Sequence, residues 1–276
     1  MTEYCNNEQL KFLTKELRQQ PVDVTYPNID NIQEKISLSS LNIVSELKKL
    51  LIEHDYLIIR DFGTCSVDAL TLAKLLSKNI FYQGDDLKYV YQFETQPFQN
   101  KILSSSLSCG AFHTDFWTID KPPNYILLQC VEPDPKHPFY SRNQVVLLSS
   151  LLARLEELIP NITSTLLDIS LPHRVKNKVL WVKLLDVFEN NLIIRIHPNY
   201  IDENSFEPKH YFDGVAIHHL ISDVAQSISH DFVLNSGDIL IVSNKYCLHR
   251  RSEASVIFGK NLSQWKGRKL NTLRFF

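Results

Sequence analysis

The sequence predicts an α+β fold, with helices in its first part and a β sandwich or barrel built from its second. Three patterns carry that expectation. In "NNEQLKFLTKELRQQ" near residues 6–20 and "SSLNIVSELKKLLIEHD" at 39–55, apolar residues recur at helical spacing, with Leu41, Val44, Leu47 and Leu51 forming a stripe. After Asn124 the chain changes to short runs of β-branched and aromatic residues. Pro, Asn, Asp and Gly interrupt those runs where turns belong.

The elements follow in order. "YLIIRDF" (Tyr56 to Phe62) reads as a strand, and Ser66 is placed to cap a helix through "VDALTLAKLLSKNI". The later strands are "NYILLQCV", "NQVVLLS", "VLWVKLLDVF", "NLIIRIH", "GDILIVS" and "KLNTLRFF", with a helical patch at "LLARLEELI". Residues 199–232 interrupt the strands with polar loop chemistry and a helix from about Val215 to Ile228. An insertion of that length inside a β fold reads as a lid over a binding site. With no repeat and no Pro-rich or Gly/Ser linker, residues 1–276 read as one domain, residues 1–80 being its mainly helical part.

Composition excludes several functions. A net charge of −2, from 29 basic and 31 acidic residues without a dense basic run, lacks the footprint of a nucleic-acid binder. A small-molecule partner is the expectation. No apolar run approaches the roughly 20 residues that span a bilayer, and the polar start "MTEYCNNEQL" is unlike a secretory signal, so the expected setting is cytoplasmic. Five scattered cysteines without a C-x-x-C pair suit reduced thiols.

Chemistry concentrates at "SCGAFHTDFWT". On a strand, residues two apart share a face, so His113 and Asp115 present an imidazole and a carboxylate to one point. Two ligands do not make a site. A third is offered by His249, where "NSGDILIVSNKYCLHRRSE" runs an apolar strand into a histidine. Two His and one carboxylate leave open positions on one side of an ion, the set that suits non-haem Fe(II). Since 249 − 113 = 136 residues separate the outer ligands, only a fold that pairs distant strands would join them.

These segments resemble, in order, the Fe(II)/2-oxoglutarate dioxygenases of the taurine dioxygenase and clavaminate synthase-like family. "FHTDFWTIDKPPNYILLQC" is similar to the family's H-T-D, Pro-Pro and Leu-Leu strand ending in Cys. Gly237, Asp238, "ILIVS", Asn244, His249 and Arg251 resemble its distal ligand segment, and Arg268 with Leu270 its R-x-L. The resemblance runs from about residue 39 to the end. It implies a double-stranded β-helix (jelly-roll) core, and Fe(II) held by His113, Asp115 and His249. It also implies 2-oxoglutarate paired with Arg268, and O2 as the oxidant. A carboxylate at Asp115 implies hydroxylation, desaturation or ring formation in place of halogenation, hydroxylation being the default.

The chain departs from the family twice. The 268 − 249 = 19 residues between His249 and Arg268 exceed the usual interval, so Arg274 is the alternative partner of 2-oxoglutarate. "PFYSRNQVVLL" replaces the family's Gly-Gly-Asp/Glu-Thr, which passes its hydroxyl contact to Gln144, Ser141 or Tyr140. The expected substrate is small, polar and amino-acid-like or a natural-product intermediate, approached from Ser104–Ser108, Phe116, Trp117 and the 199–232 insertion. A metal-dependent hydrolase would use the same triad but give Arg268 no task. A non-catalytic jelly-roll binder would need no open metal face. His218 and His219, adjacent on a helix, are expected to face apart, His197 and His210 have no partner at ligand spacing, and Cys247 packs near the iron without ligating it.

Overall fold

The computed structural model describes residues 22–25, 35–38, 43–81, 89–99 and 102–276. The helix expected at 6–20 lies outside these residues. The stripe at 39–55 forms helix α1 (Ile43–His54), and α2 (Ser66–Leu76) follows the strand Tyr56–Ile59. Ser66 does not cap α2. It is already helical, and Cys65 occupies the extended capping position with no side-chain bond to the helix.

Seven strands pair antiparallel in one sheet, in the order Lys35–Leu38, Val22–Thr25, Tyr56–Ile59, Ile239–Ser243, Tyr125–Glu132, Lys269–Phe275 and Tyr91–Glu94. A second sheet has the order His230–Phe232, Asn143–Leu147 and Cys247–Arg251. The two-residue period of a strand sends alternate side chains to different layers. Leu57, Ile59, Ile239 and Ile241 pack beneath α1 and α2, whereas Tyr56, Ile58, Leu240 and Val242 meet Val145, Phe232 and Cys247 of the second sheet. Ile239–Val242 is an unbroken apolar run because both faces of the strand are covered.

A further core lies beyond the second sheet. Val146 and Leu248 point away from the first sheet, into Leu151 and Leu155 of α3 (Leu148–Leu158) and Ile162 of α4 (Ile162–Asp168). Helix α5 (Ile217–Ile228) adds Ile217, Ile221 and Ala225 to the same core. The molecule thus has helices, sheet, sheet, helices as its layers. Each fully buried leucine in them contributes about 1.5–3 kcal/mol against the exposed state.

One expectation changes in detail. "VLWVKLLDVF" is two strands, not one: Lys178–Lys183 pairs back with Ser170–Val175, and Leu185–Phe188 pairs forward with Asn191–Ile194. The second hairpin turns at Glu189 and Asn190, both with positive φ, which matches the twist of the strands they join. In the 199–232 segment, α5 packs against α3, and Asn199 and Tyr200 reach the cavity described below. No helix among the described residues is long and apolar enough to cross a membrane.

Candidate metal centre and its cavity

A cavity of about 510 Å³ opens between the two sheets. On its wall, His113 pairs with His249: each backbone N–H donates to the other's carbonyl at 3.1 Å, so His113 extends the second sheet by one bridge. This bridge closes the 136-residue separation. Asp115 Oδ1 then lies 3.6 Å from His113 Nε2 and 4.0 Å from His249 Nε2, and all three donor atoms fall within 4.8 Å of one another.

Each side chain is held for a reason. His113 Nδ1 is hydrogen-bonded to the Ala111 carbonyl at 2.7 Å, which makes it the protonated nitrogen and leaves Nε2 as a lone pair facing Asp115. Asn244 clamps the backbone of Asp115, accepting from its N–H at 2.7 Å and donating to its carbonyl at 2.8 Å. Arg274 donates twice to Asp115 Oδ2, at 3.0 and 3.2 Å, so Oδ1 alone faces the imidazoles. The GD turn serves the scaffold. Gly237 has a φ of +89°, and buried Asp238 accepts from Asp61, Asn235 and Arg60.

Electrostatics match this geometry. Burial raises the Asp115 carboxyl pKa, but the Arg274 guanidinium beside it outweighs that and holds the acid well below the usual carboxylate range. Burial, with His113 and Arg274 beside it, pushes His249 down to about 3 and keeps it neutral. Two imidazole nitrogens and one carboxylate oxygen form a donor set suited to a divalent transition metal. Ligands bonded at about 2.1 Å and separated by about 90–110° lie about 3.0–3.4 Å apart, so small side-chain rotations close the set.

Arg268, just before the last strand, and Leu270, Thr272 and Arg274 on it line the cavity, while Leu273 and Phe275 face α1 and α2. Arg268 is buried, and its Nη2 donates to Asn143 Oδ1 at 2.8 Å. No carboxylate pairs with it among the described residues. Burial lowers its pKa to about 10, which leaves it charged at neutral pH. Asn143 Nδ2 is also buried and has no hydrogen-bond partner among the described residues. A buried cation without an anion beside an unsatisfied N–H is the arrangement that a carboxylate completes.

Other predicted residues fall differently. Gln144 lines the cavity but its Oε1 accepts from Arg250 Nε. Ser141 donates to Asp134 Oδ2 at 2.7 Å and is not part of the cavity wall, and neither is half-buried Tyr140. Arg251 braces the serine loop, donating to the Ser106 and Ser108 carbonyls at 2.8 and 3.0 Å. Ser104 reaches the cavity, Trp117 is buried against His173, and Cys247 is packed between the sheets.

Sequence reasoning missed Asn143, whose only signal was its place opposite Arg251 on the strand beside the distal histidine. It also left His197 without a partner. His197 lies in the cavity wall with its ring centroid 4.5 Å from that of His113, and burial pushes its pKa down to about 3. The expectation that His218 and His219 face apart is corrected too, because both Nε2 atoms meet Glu203.

No family model and no curated protein matches the sequence. Solved structures do. An asparagine oxygenase in complex with Fe(II), 2S,3S-3-hydroxyasparagine and succinate superposes with a TM-score of 0.66 at 11% identity, covering 85% of this chain and 78% of that one. The non-heme iron oxygenase OrfP with Fe, succinate and (3R,4R)-dihydroxy-L-Arg gives 0.64 at 14% identity, over 86% and 81%. A taurine dioxygenase from Burkholderia xenovorans gives 0.64 at 15% identity, over 91% and 89%. With its helical layers, paired sheets and cavity in place, the chain has the fold of the iron-dependent oxygenases related to taurine dioxygenase.

Proposed function

We propose that this protein is an Fe(II)- and 2-oxoglutarate-dependent oxygenase that hydroxylates an unactivated C–H bond of a small, polar, amino-acid-like substrate. One observation carries the reading: a two-His, one-carboxylate donor set shares a cavity with a buried arginine that has no carboxylate partner among the described residues. The first half suits a transition metal with an open face, and the second suits the distal carboxylate of 2-oxoglutarate. A hydrolase would need the metal but not Arg268. The paired sheets support a double-stranded β-helix core, and the shared cores support a single domain.

Bound iron with 2-oxoglutarate and O2 supplies the oxidising chemistry, yielding succinate, CO2 and an oxidised C–H bond. The chain's own residues do the placing. His113, Asp115 and His249 would hold the ion. Arg274 orients the carboxylate by occupying Oδ2, and Asn244 fixes the backbone behind it. Arg268 and Asn143 receive the distal carboxylate, Arg268 through the planar guanidinium that stays charged when buried. Arg274 Nη1, buried and without a partner, remains as a donor for an anionic or polar group of the substrate. His197, Asn199 and Tyr200 form the wall on which specificity rests. The hydroxylated amino acids held by the asparagine oxygenase and OrfP structures support that substrate class.

The test is succinate release from 2-oxoglutarate, stimulated by Fe(II), ascorbate and candidate amino acids, with detection of a product heavier by one oxygen. Release that requires iron and rises with one substrate is the expected result. Tight zinc binding with no turnover of 2-oxoglutarate under any substrate would overturn the reading.

A further inference from the structure

We propose that Glu203, His218 and His219 form a second transition-metal site, outside the cavity, that ties the segment carrying Tyr200 to helix α5. Consecutive helical residues project about 100° apart, so neighbouring imidazoles ordinarily diverge. Here they converge. The two rings lie 4.0 Å apart between centroids, and His218 Nε2 and His219 Nε2 stand 3.1 and 3.3 Å from the same Glu203 Oε1. Those separations are close to the roughly 3.3 Å between ligand atoms bonded at about 2.0–2.1 Å in a tetrahedral zinc site.

The three residues differ in how firmly they are held. The His218 side chain is 5% exposed and packs edge-on against Phe206, with ring centroids 5.6 Å apart. His219 and Glu203 are 60% and 56% exposed. One ligand is thus fixed by the core, two adjust at the surface, and water can complete the coordination. Two imidazoles and one carboxylate favour zinc, copper, nickel or cobalt over magnesium or calcium, which take oxygen ligands. None of the three residues lines the cavity, whereas Asn199 and Tyr200, just before Glu203, do. An ion here would join the one-turn helix Glu203–Ser205 to the first turn of α5 and so steady the cavity wall at Tyr200.

The experiment is a calorimetric zinc titration of the wild-type chain, His219→Ala, Glu203→Gln, Asp115→Ala and the Asp115→Ala/His219→Ala double variant. Folding of each is checked by circular dichroism. His219→Ala is expected to bind one zinc fewer per chain than wild type, and Glu203→Gln to weaken the same event at least tenfold. Asp115→Ala retains this ion, and the double variant loses it. Zinc should also raise the melting temperature of Asp115→Ala but not of the double variant. Unchanged zinc stoichiometry in His219→Ala overturns the proposal. Should the triad hold no metal, wild type would bind one zinc and His219→Ala none, so the two sites stand or fall separately.

Discussion

The cavity has two ends, one built around Arg274 of the last strand and the other around Arg268 just before it, and the two arginines keep different company. Arg274 stands at the metal end with both donations directed to Asp115 Oδ2. Arg268, six residues earlier, has only the neutral Asn143 amide as a side-chain partner among the described residues. A two-residue period makes the two positions equivalent as sequence. What separates them is the element opposite: the His113–Asp115 segment faces one, and the start of the Asn143–Leu147 strand faces the other. A guanidinium already paired with a carboxylate shapes that carboxylate, whereas one buried beside a neutral amide can still receive an anion.

The largest effect comes from removing the metal end outright. Asp115→Ala or His249→Ala is expected to abolish iron binding and succinate formation in a folded protein, as measured by metal analysis, circular dichroism and turnover. Retained activity in either variant would sink the triad. Next is the far end, where Arg268→Ala should raise the 2-oxoglutarate KM by about 30-fold or more, given the roughly 2–5 kcal/mol cost of truncating one partner of a buried charge pair. Arg274→Ala should leave that KM nearly unchanged and weaken iron binding about 10–100-fold, the usual cost of losing a residue that orients a metal ligand. If the two variants exchanged phenotypes, the assignment of the two ends would be reversed. Asn143→Ala should cost about 1 kcal/mol, a several-fold rise in the same KM, because Arg268 loses one hydrogen bond.

The smallest effect lies outside the cavity and tests the scaffold behind it. Burial raises the Asp55 carboxyl to about 6, above its unfolded value near 3.8, so the folded state holds the proton more tightly. Its contribution to stability is therefore present at pH 4 and is lost as pH rises through 6. Asp55→Asn should raise the melting temperature at pH 7–8 by a degree or so and give no gain at pH 4. Asn also tolerates the positive φ of 62° at this turn. An equal gain at both pH values would refute the burial account.

Much of the site was legible in the sequence because its signals are local. The i, i+2 spacing of His113 and Asp115 pointed to a shared site, although in the structure only His113 forms a bridge and Asp115 opens a turn; Leu270, Thr272 and Arg274 share a face of the last strand as the two-residue period requires. The apolar run before His249 announces a doubly covered strand. Helices α1, α2, α3 and α5 were readable from the 3.6-residue period within a few residues of their bounds. The misses have the opposite character. Asn143 and His197 depend on partners 125 and 84 residues away, and the Glu203–His218–His219 cluster on a contact between two elements 15 residues apart. Ser141, a reasonable hydroxyl donor by position, meets Asp134 first. In the 199–232 segment, Asn199 and Tyr200 line the cavity while the apolar stripe of α5 buries against the core beyond the second sheet.

The sequence by itself determined the residue types available for chemistry, their order, and which face of each strand or helix they share, since backbone periodicity converts spacing directly into direction. Only the tertiary structure decided which of those faces meet: His113 with His249 through one bridge, Arg274 with Asp115, Arg268 with Asn143, and two neighbouring imidazoles with one glutamate. The physical reason is that direction along an element is a local property of the backbone. The partner across a cavity is set by how sheets and helices bury their apolar faces together, and no short stretch of sequence contains that information.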